Sequence, residues 1–138
     1  MAETFELEIV TPERLVVHEV AEETQIPAKN GYIGVLPGHA PLITELSVGE
    51  ISYRAEGTTS YVAVAWGFAE ILPTKVTIMA ESAERAEDID VKRAEEARRR
   101  AEERLRSTDG SVDTDRALKA LKRAEVRLQV AQRVGLAR

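Results

Sequence analysis

Residues 75–106 read KVTIMAESAERAEDIDVKRAEEARRRAEERLR, and within them one kind of chain gives way to another. Lys75–Met79 sets Val76 and Ile78 between polar neighbours, a period of two that turns one face of a strand inward. From Asp90 onward every local feature is helical. Asp90 is placed to accept an otherwise unsatisfied amide of the first turn, and Ile89 and Ala94 hold the positions of a weak hydrophobic staple. Strong helix formers then continue to Arg106 without a single Gly or Pro. Two architectural units therefore meet near Ser82.

Composition divides at the same place. Residues 1–82 carry 4 Lys/Arg against 12 Asp/Glu, whereas residues 83–138 carry 15 against 12. All five Pro, all six aromatics and six of the eight Gly fall in the first part. The second is rich in Ala, Arg, Glu and Leu, as solvent-exposed helices are. The expected domains are a β unit over 1–82 and a helical unit over 83–138.

Working back from residue 75, Phe5, Leu7 and Ile9 alternate with Glu6 and Glu8. Similar runs follow at Leu15–Val20, Glu23–Ile26, Tyr32–Val35, Leu42–Leu46, Gly49–Ala55, Ser60–Ala65 and Gly67–Leu72. Turn residues separate them, among them Lys29-Asn30-Gly31, Glu56-Gly57 and Pro73-Thr74. Short strands so closely spaced leave no room for helical crossovers and predict an antiparallel β-sandwich. Trp66 and Phe68 are its expected bulky core fillers.

The segment Gly31–Leu42 holds three Gly and two Pro in twelve residues, which fixes an unusual loop path. His39 within it invites a catalytic reading, but the only other His is His18, and a catalytic His wants a nucleophile or second base beside it. A loop His bonded to backbone or touching a partner explains it better. The sequence contains no Gly-x-Ser-x-Gly, no Gly-x-x-x-x-Gly-Lys-Ser/Thr and no His-Glu-x-x-His. With no Cys, disulfides and thiolate chemistry are excluded. No apolar run approaches the roughly 18 residues of a membrane span. The acidic, alternating N-terminus resembles neither a signal nor a transit peptide, so a reducing, cytoplasmic setting is expected.

Forward from residue 106, Ser107–Ser111 breaks the helix and a second one is expected from about Asp113 to about Val134, ended by Gly135. The two starts, Ile89–Ala94 and Val112–Ala117, share their apolar, Asp, Arg and Ala positions; shared capping chemistry explains this as well as duplication does. Ala117, Leu121, Ala124, Leu128 and Ala131 form one narrow stripe, Val91, Ala94, Ala97, Ala101 and Leu105 the other. The predicted architecture is α+β by segregation, a sandwich followed by an antiparallel helical hairpin. Such alanine-rich faces bury little area, a physical reason to expect a hairpin that changes position.

Arg93 and Arg100 lie seven apart on the first helix and Arg123 and Arg127 four apart on the second. Interleaved helices can gather these guanidiniums around an anion, with Glu84 and Asp90 as acceptors for a base amine or ribose. The competing reading is a solvated face of Glu–Arg pairs. A nucleic-acid surface is disfavoured, since the helical unit nets only +3 with acids interleaved and no aromatics.

Phe-Glu-Leu-Glu-Ile-Val-Thr-Pro-Glu at 5–13, Leu-Pro-Gly-His-Ala-Pro-Leu at 36–42 and the charged hairpin together resemble the epsilon subunits of bacterial F-type ATP synthases, across the whole chain and in order. The resemblance implies a non-catalytic central-stalk subunit that needs no cofactor. Its expected partners are the gamma subunit, the c-subunit ring and the alpha/beta head, at the cytoplasmic face of the membrane, with membrane contact only through the complex. The hairpin is implied to alternate between a folded state and an extended one that inhibits ATP hydrolysis.

Some members bind ATP as a regulatory ligand through Ile/Leu-Asp-x-x-Arg-Ala, which this chain carries as Ile89-Asp90-Val91-Lys92-Arg93-Ala94. Matched onward without gaps, their other nucleotide-contacting positions fall on Glu84, Arg100, Arg123 and Arg127. The alternative is a purely structural rotor subunit that senses no ATP.

Overall fold

The computed structural model describes residues 3–134. Seven strands come first: β1 (Phe5–Val10), β2 (Leu15–Ala21), β3 (Glu23–Ala28), β4 (Gly31–Val35), β5 (Leu42–Ala55), β6 (Thr58–Ile71) and β7 (Lys75–Arg85). A single 3-10 turn at Ala86–Asp88 leads into α1 (Val91–Arg106) and α2 (Thr114–Ala131). The sandwich-then-hairpin order is as expected from the periodicity. Gly135, the expected stop of the second helix, lies outside the described residues; α2 itself ends at Ala131.

The strands join edge to edge in the order β2-β1-β7-β6-β5-β3-β4. One pairing departs from the antiparallel expectation: β1 runs parallel to β7, with Leu7 opposite Val76 and Ile9 opposite Ile78. Parallel neighbours need a long connection. Here strands β2 to β6 supply it, which a search for helical crossovers does not reveal.

The four runs expected between Leu42 and Leu72 are two long strands instead. β5 and β6 pair in one register from Leu42↔Ile71 to Ala55↔Thr58, passing over Ser47 and Trp66, and are joined by Glu56 and Gly57, both at positive φ as a two-residue hairpin turn requires. The expected interruption at Trp66 is a kink within β6. Trp66 and Gly67 have φ of 48° and 127°, and a Cβ on Gly67 would lie 2.0 Å from the Met79 carbonyl oxygen. On either side of this kink the inward face changes parity, from Val62 and Val64 to Ala69 and Ile71. β7 changes likewise, from Val76, Ile78 and Ala80 to Ala83. The bend folds one continuous sheet over a single core that includes Phe5, Leu7, Ile9, Ile26, Ile51 and Tyr53.

The kink also explains a failed expectation. Phe68, read as a core filler, is 50% exposed, because the shift in parity turns it outward opposite Met79. Trp66 is half-buried on the outer face. The Pro-Gly-His-Ala-Pro loop is tied down by the Gly38 amide, which donates to the Pro73 carbonyl at 2.8 Å. His39 Nδ1 lies 2.7 Å from the Ala40 carbonyl oxygen, the backbone-bonded role expected of it.

Candidate functional site: an arginine-lined cleft under the hairpin

Both helices begin the same way. Asp90 accepts a hydrogen bond from the Arg93 amide and Asp113 from the Arg116 amide, each at 3.1 Å, with the same φ and ψ of −81° and 99° at both caps. The similarity of the two starts therefore has a full account in capping. Ala94 and Ala101 on α1, with Ala117 and Ala124 on α2, are at most 2% exposed. Side chains this small let the helices approach closely while removing little apolar area from water.

α2 is the inner helix. It lies on β5 and β6, and Val130 is fully buried against Ala63, Ala86 and Ile89, with Val126 and Tyr61 beside them. Val126 and Val130, one turn apart, form an anchoring row distinct from the alanine stripe. The hairpin is thus folded onto the sandwich. That position places two arginines of α2 against the sheet.

Arg127 reaches Glu84 of β7: its Nε lies 2.6 Å from Oε1 and its Nη2 donates to Oε2 at 3.3 Å. The Nε is buried yet makes no aligned hydrogen bond, so the pair is close but only half satisfied. Arg123 sits with its guanidinium carbon 5.4 Å from the centre of the Trp66 ring. Lys119 Nζ lies 5.9 Å from the same centre.

Between α1, α2 and β7 is a cleft of about 350 Å³ whose charged lining is Arg100, Arg104, Arg123, Arg127 and Glu84. The remaining walls are Ser82 and the small residues Ala97, Ala101, Ala120 and Ala124. Four guanidiniums face one carboxylate, and among the described residues Arg100, Arg104 and Arg123 have no carboxylate within 4 Å. A concave wall of this kind offers planar, two-pronged donors to an anion such as a phosphate chain.

Of the residues picked out from sequence, Glu84, Arg100, Arg123 and Arg127 come together in this cleft. Ile89, Asp90, Arg93 and Ala94 do not line it. Ile89 packs beneath α2, Ala94 is buried between the helices and Asp90 caps α1. Arg93 is exposed, on the side of α1 that also carries Ala97 and Arg100. Arg104 belongs to the wall and was not singled out. Its position one turn beyond Arg100 was the available signal.

A second clamp lies beyond the end of α2. Arg133 donates from Nε and Nη2 to the two carboxylate oxygens of Glu50 on β5, at 2.9 and 3.1 Å, and stands 4.9 Å from the Tyr61 ring centre. The Glu50 hydrogen bonds hold Arg133 above its ordinary pKa. Elsewhere, Glu6, Glu8 and His18 converge as metal ligands would, but Lys75 Nζ is 2.7 Å from Glu8 and already meets that charge.

Residues 4–86 match the family described as ATP synthase, Delta/Epsilon chain, beta-sandwich domain, and residues 87–132 its long alpha-helix domain. The chain belongs to the ATP synthase epsilon-chain family. Its similarity to the ATP synthase epsilon chain of Koribacter versatilis is 69% identity over 78% of this chain and 76% of that one. The epsilon chain of Nitratidesulfovibrio vulgaris strain DP4 is 48% identical over 94% and 97%. That of Bacillus cytotoxicus is 46% identical over 93% and 96%.

Among solved structures, a chain of the Euglena gracilis mitochondrial ATP synthase (OSCP/F1/c-ring, rotational state 1) superposes with a TM-score of 0.78. At 23% identity, over 96% of this chain and 81% of that one, it shares the fold. As an epsilon chain, the protein is a non-catalytic subunit of the synthase. No helix among the described residues is long and apolar enough to cross a membrane.

Proposed function

We propose that this epsilon chain is a regulatory central-stalk subunit whose folded hairpin is stabilised by ATP bound in the arginine-lined cleft. The sandwich would dock beside the gamma subunit and on the c-subunit ring, at the cytoplasmic face of the membrane. The hairpin, once released from the sandwich, would extend into the alpha/beta head and inhibit ATP hydrolysis. The observation that carries the reading is the gathering of Arg100, Arg104, Arg123 and Arg127 from two helices, against β7, with Glu84 the one opposing carboxylate among the described residues.

The physical logic is linkage. The cleft exists only while α1, α2 and β7 are together, so an anion held there favours the folded hairpin by its differential affinity alone. Arg127 and Arg123 touch both the sheet and the cleft, so the groups that would hold the ligand are also those that hold the hairpin. As nucleotide falls, the folded population falls with it.

Calorimetric titration of ATP into the chain tests this, with Arg93→Ala and Arg127→Ala as variants and ADP as a second ligand. One saturable ATP site, lost in Arg127→Ala and weakened in Arg93→Ala, is expected. A purely structural rotor subunit is the second reading, favoured by the clamps Arg127–Glu84 and Arg133–Glu50, which close the hairpin with protein groups alone. Absence of ATP binding to the unmodified chain would select it.

A further inference from the structure

Trp66 is the only tryptophan of the chain, and it occupies an unusual place. Its backbone is held at φ 48°, a conformation that a bulky residue adopts at a cost. It stands at the kink of β6, next to Gly67, which backs onto the Met79 carbonyl. The kink presents the indole on the outer face of the sandwich, beside α2. There it meets two cations one helical turn apart, Lys119 at 5.9 Å and Arg123 at 5.4 Å from its ring centre. Both distances lie within the reach of a cation–π attraction.

We infer that Trp66 is a positioning residue: it docks α2 through Lys119 and Arg123 and holds the Arg123 guanidinium at the rim of the cleft. The second part rests on the cleft being an anion site. Arg123 lines the cleft between Arg127 and Arg100/Arg104 and has no carboxylate partner among the described residues. An unpaired arginine on a helix surface would otherwise sample many rotamers, and ordering it is a cost charged to ligand binding. A ring that attracts the guanidinium without neutralising it keeps the charge free for an anion. It also binds the ligand's state to the hairpin's, because Arg123 keeps this orientation only while α2 lies on the sandwich.

Two measurements on the full chain test the inference. The first is acrylamide quenching of the Trp66 emission. Substituting Lys119→Ala and Arg123→Ala together uncovers the ring, and the quenching constant is expected to rise about twofold; an unchanged constant overturns the docking role. The second is ATP affinity in Trp66→Leu and Trp66→Phe. Leu removes the ring and should weaken ATP binding about two- to fivefold, the range of an exposed cation–π contact. Phe restores a ring and should recover part of the loss at an unchanged sandwich melting temperature.

Equal affinity in all three proteins overturns the positioning role while leaving the ATP site intact. Failure of the unmodified chain to bind ATP overturns the site and the positioning role with it. The quenching comparison then still decides whether Trp66 docks the hairpin.

Discussion

Arg133 and Glu50 are 83 residues apart in sequence and meet through two parallel hydrogen bonds, Nε to Oε1 and Nη2 to Oε2. Glu50 is only 12% exposed, and the Tyr61 ring flanks the guanidinium. This clamp, just past the end of α2, and the Arg127–Glu84 pair within it fasten the hairpin at two points to different strands of the sheet. Breaking the first should loosen the hairpin without unfolding the sandwich. Arg133 is itself 38% exposed, which limits its contribution. In Arg133→Ala, amide exchange in the last two turns of α2 should quicken about two- to fivefold, while amides of β1 and β7 keep their rates. Equal quickening in the sandwich would mean that the two units unfold together.

Gly67 carries the bend of the sheet. In Gly67→Ala the new Cβ would meet the Met79 carbonyl oxygen at 2.0 Å, at a φ of 127° that an L side chain rarely adopts. Backbone atoms of two paired strands leave no flexible side chain to give way. Urea unfolding should show a loss of about 2 kcal/mol or more. A midpoint equal to that of the unmodified chain would contradict the packing described at the kink.

Asp90 caps α1, and substitution can separate that cap from the role in holding ATP proposed for its carboxylate. Asp90→Ala removes the cap of α1 and should cost about 1 kcal/mol of helix stability, read as a lower melting temperature of the 222 nm ellipticity. Asp90→Ser keeps an oxygen for the Arg93 amide, so stability should return to nearly that of the parent. ATP affinity that stays low in Asp90→Ser would assign the carboxylate to the ligand; affinity that recovers with stability would assign it to the cap alone.

The acid limb of stability should carry the mark of Glu8. The hydrogen bond from Lys75 lowers the Glu8 pKa, and the same contact raises that of Lys75. A carboxyl depressed in the folded state contributes stability above its ordinary value of about 4.3. That contribution drains away as pH falls through the lower folded value. Glu8→Gln should therefore lower stability slightly near neutrality and flatten the fall of the profile below about pH 4. A profile of the same steepness would remove Glu8 from the account.

Local chemistry made the hairpin legible almost to the residue: Asp90 and Asp113 announce their helices because a cap acts within three residues of itself. The β unit was legible as strands but not as a path. The break read at Trp66 is a bend, since a shift in hydrophobic parity looks the same in sequence whether one strand kinks at a positive φ or two strands meet. Phe68 was misplaced for that reason. The parallel pairing of β1 with β7 joins the first and last strands, and alternation within each is silent about its neighbour. Four site residues could be grouped from helix spacing and resemblance, whereas Trp66 and the Arg133–Glu50 clamp depend on contacts across the fold. Val126 and Val130 were hidden by the alanine stripe beside them, which points at α1 rather than at the sheet.

The central claim, that ATP in the arginine-lined cleft stabilises the hairpin on the sandwich, is tested most directly by hydrogen exchange of the full chain with and without saturating ATP. Exchange should slow in both α1 and α2 when ATP is bound, but not in Arg127→Ala, with the core strands unaffected. Helix amides that exchange at the same rate in both conditions would contradict it.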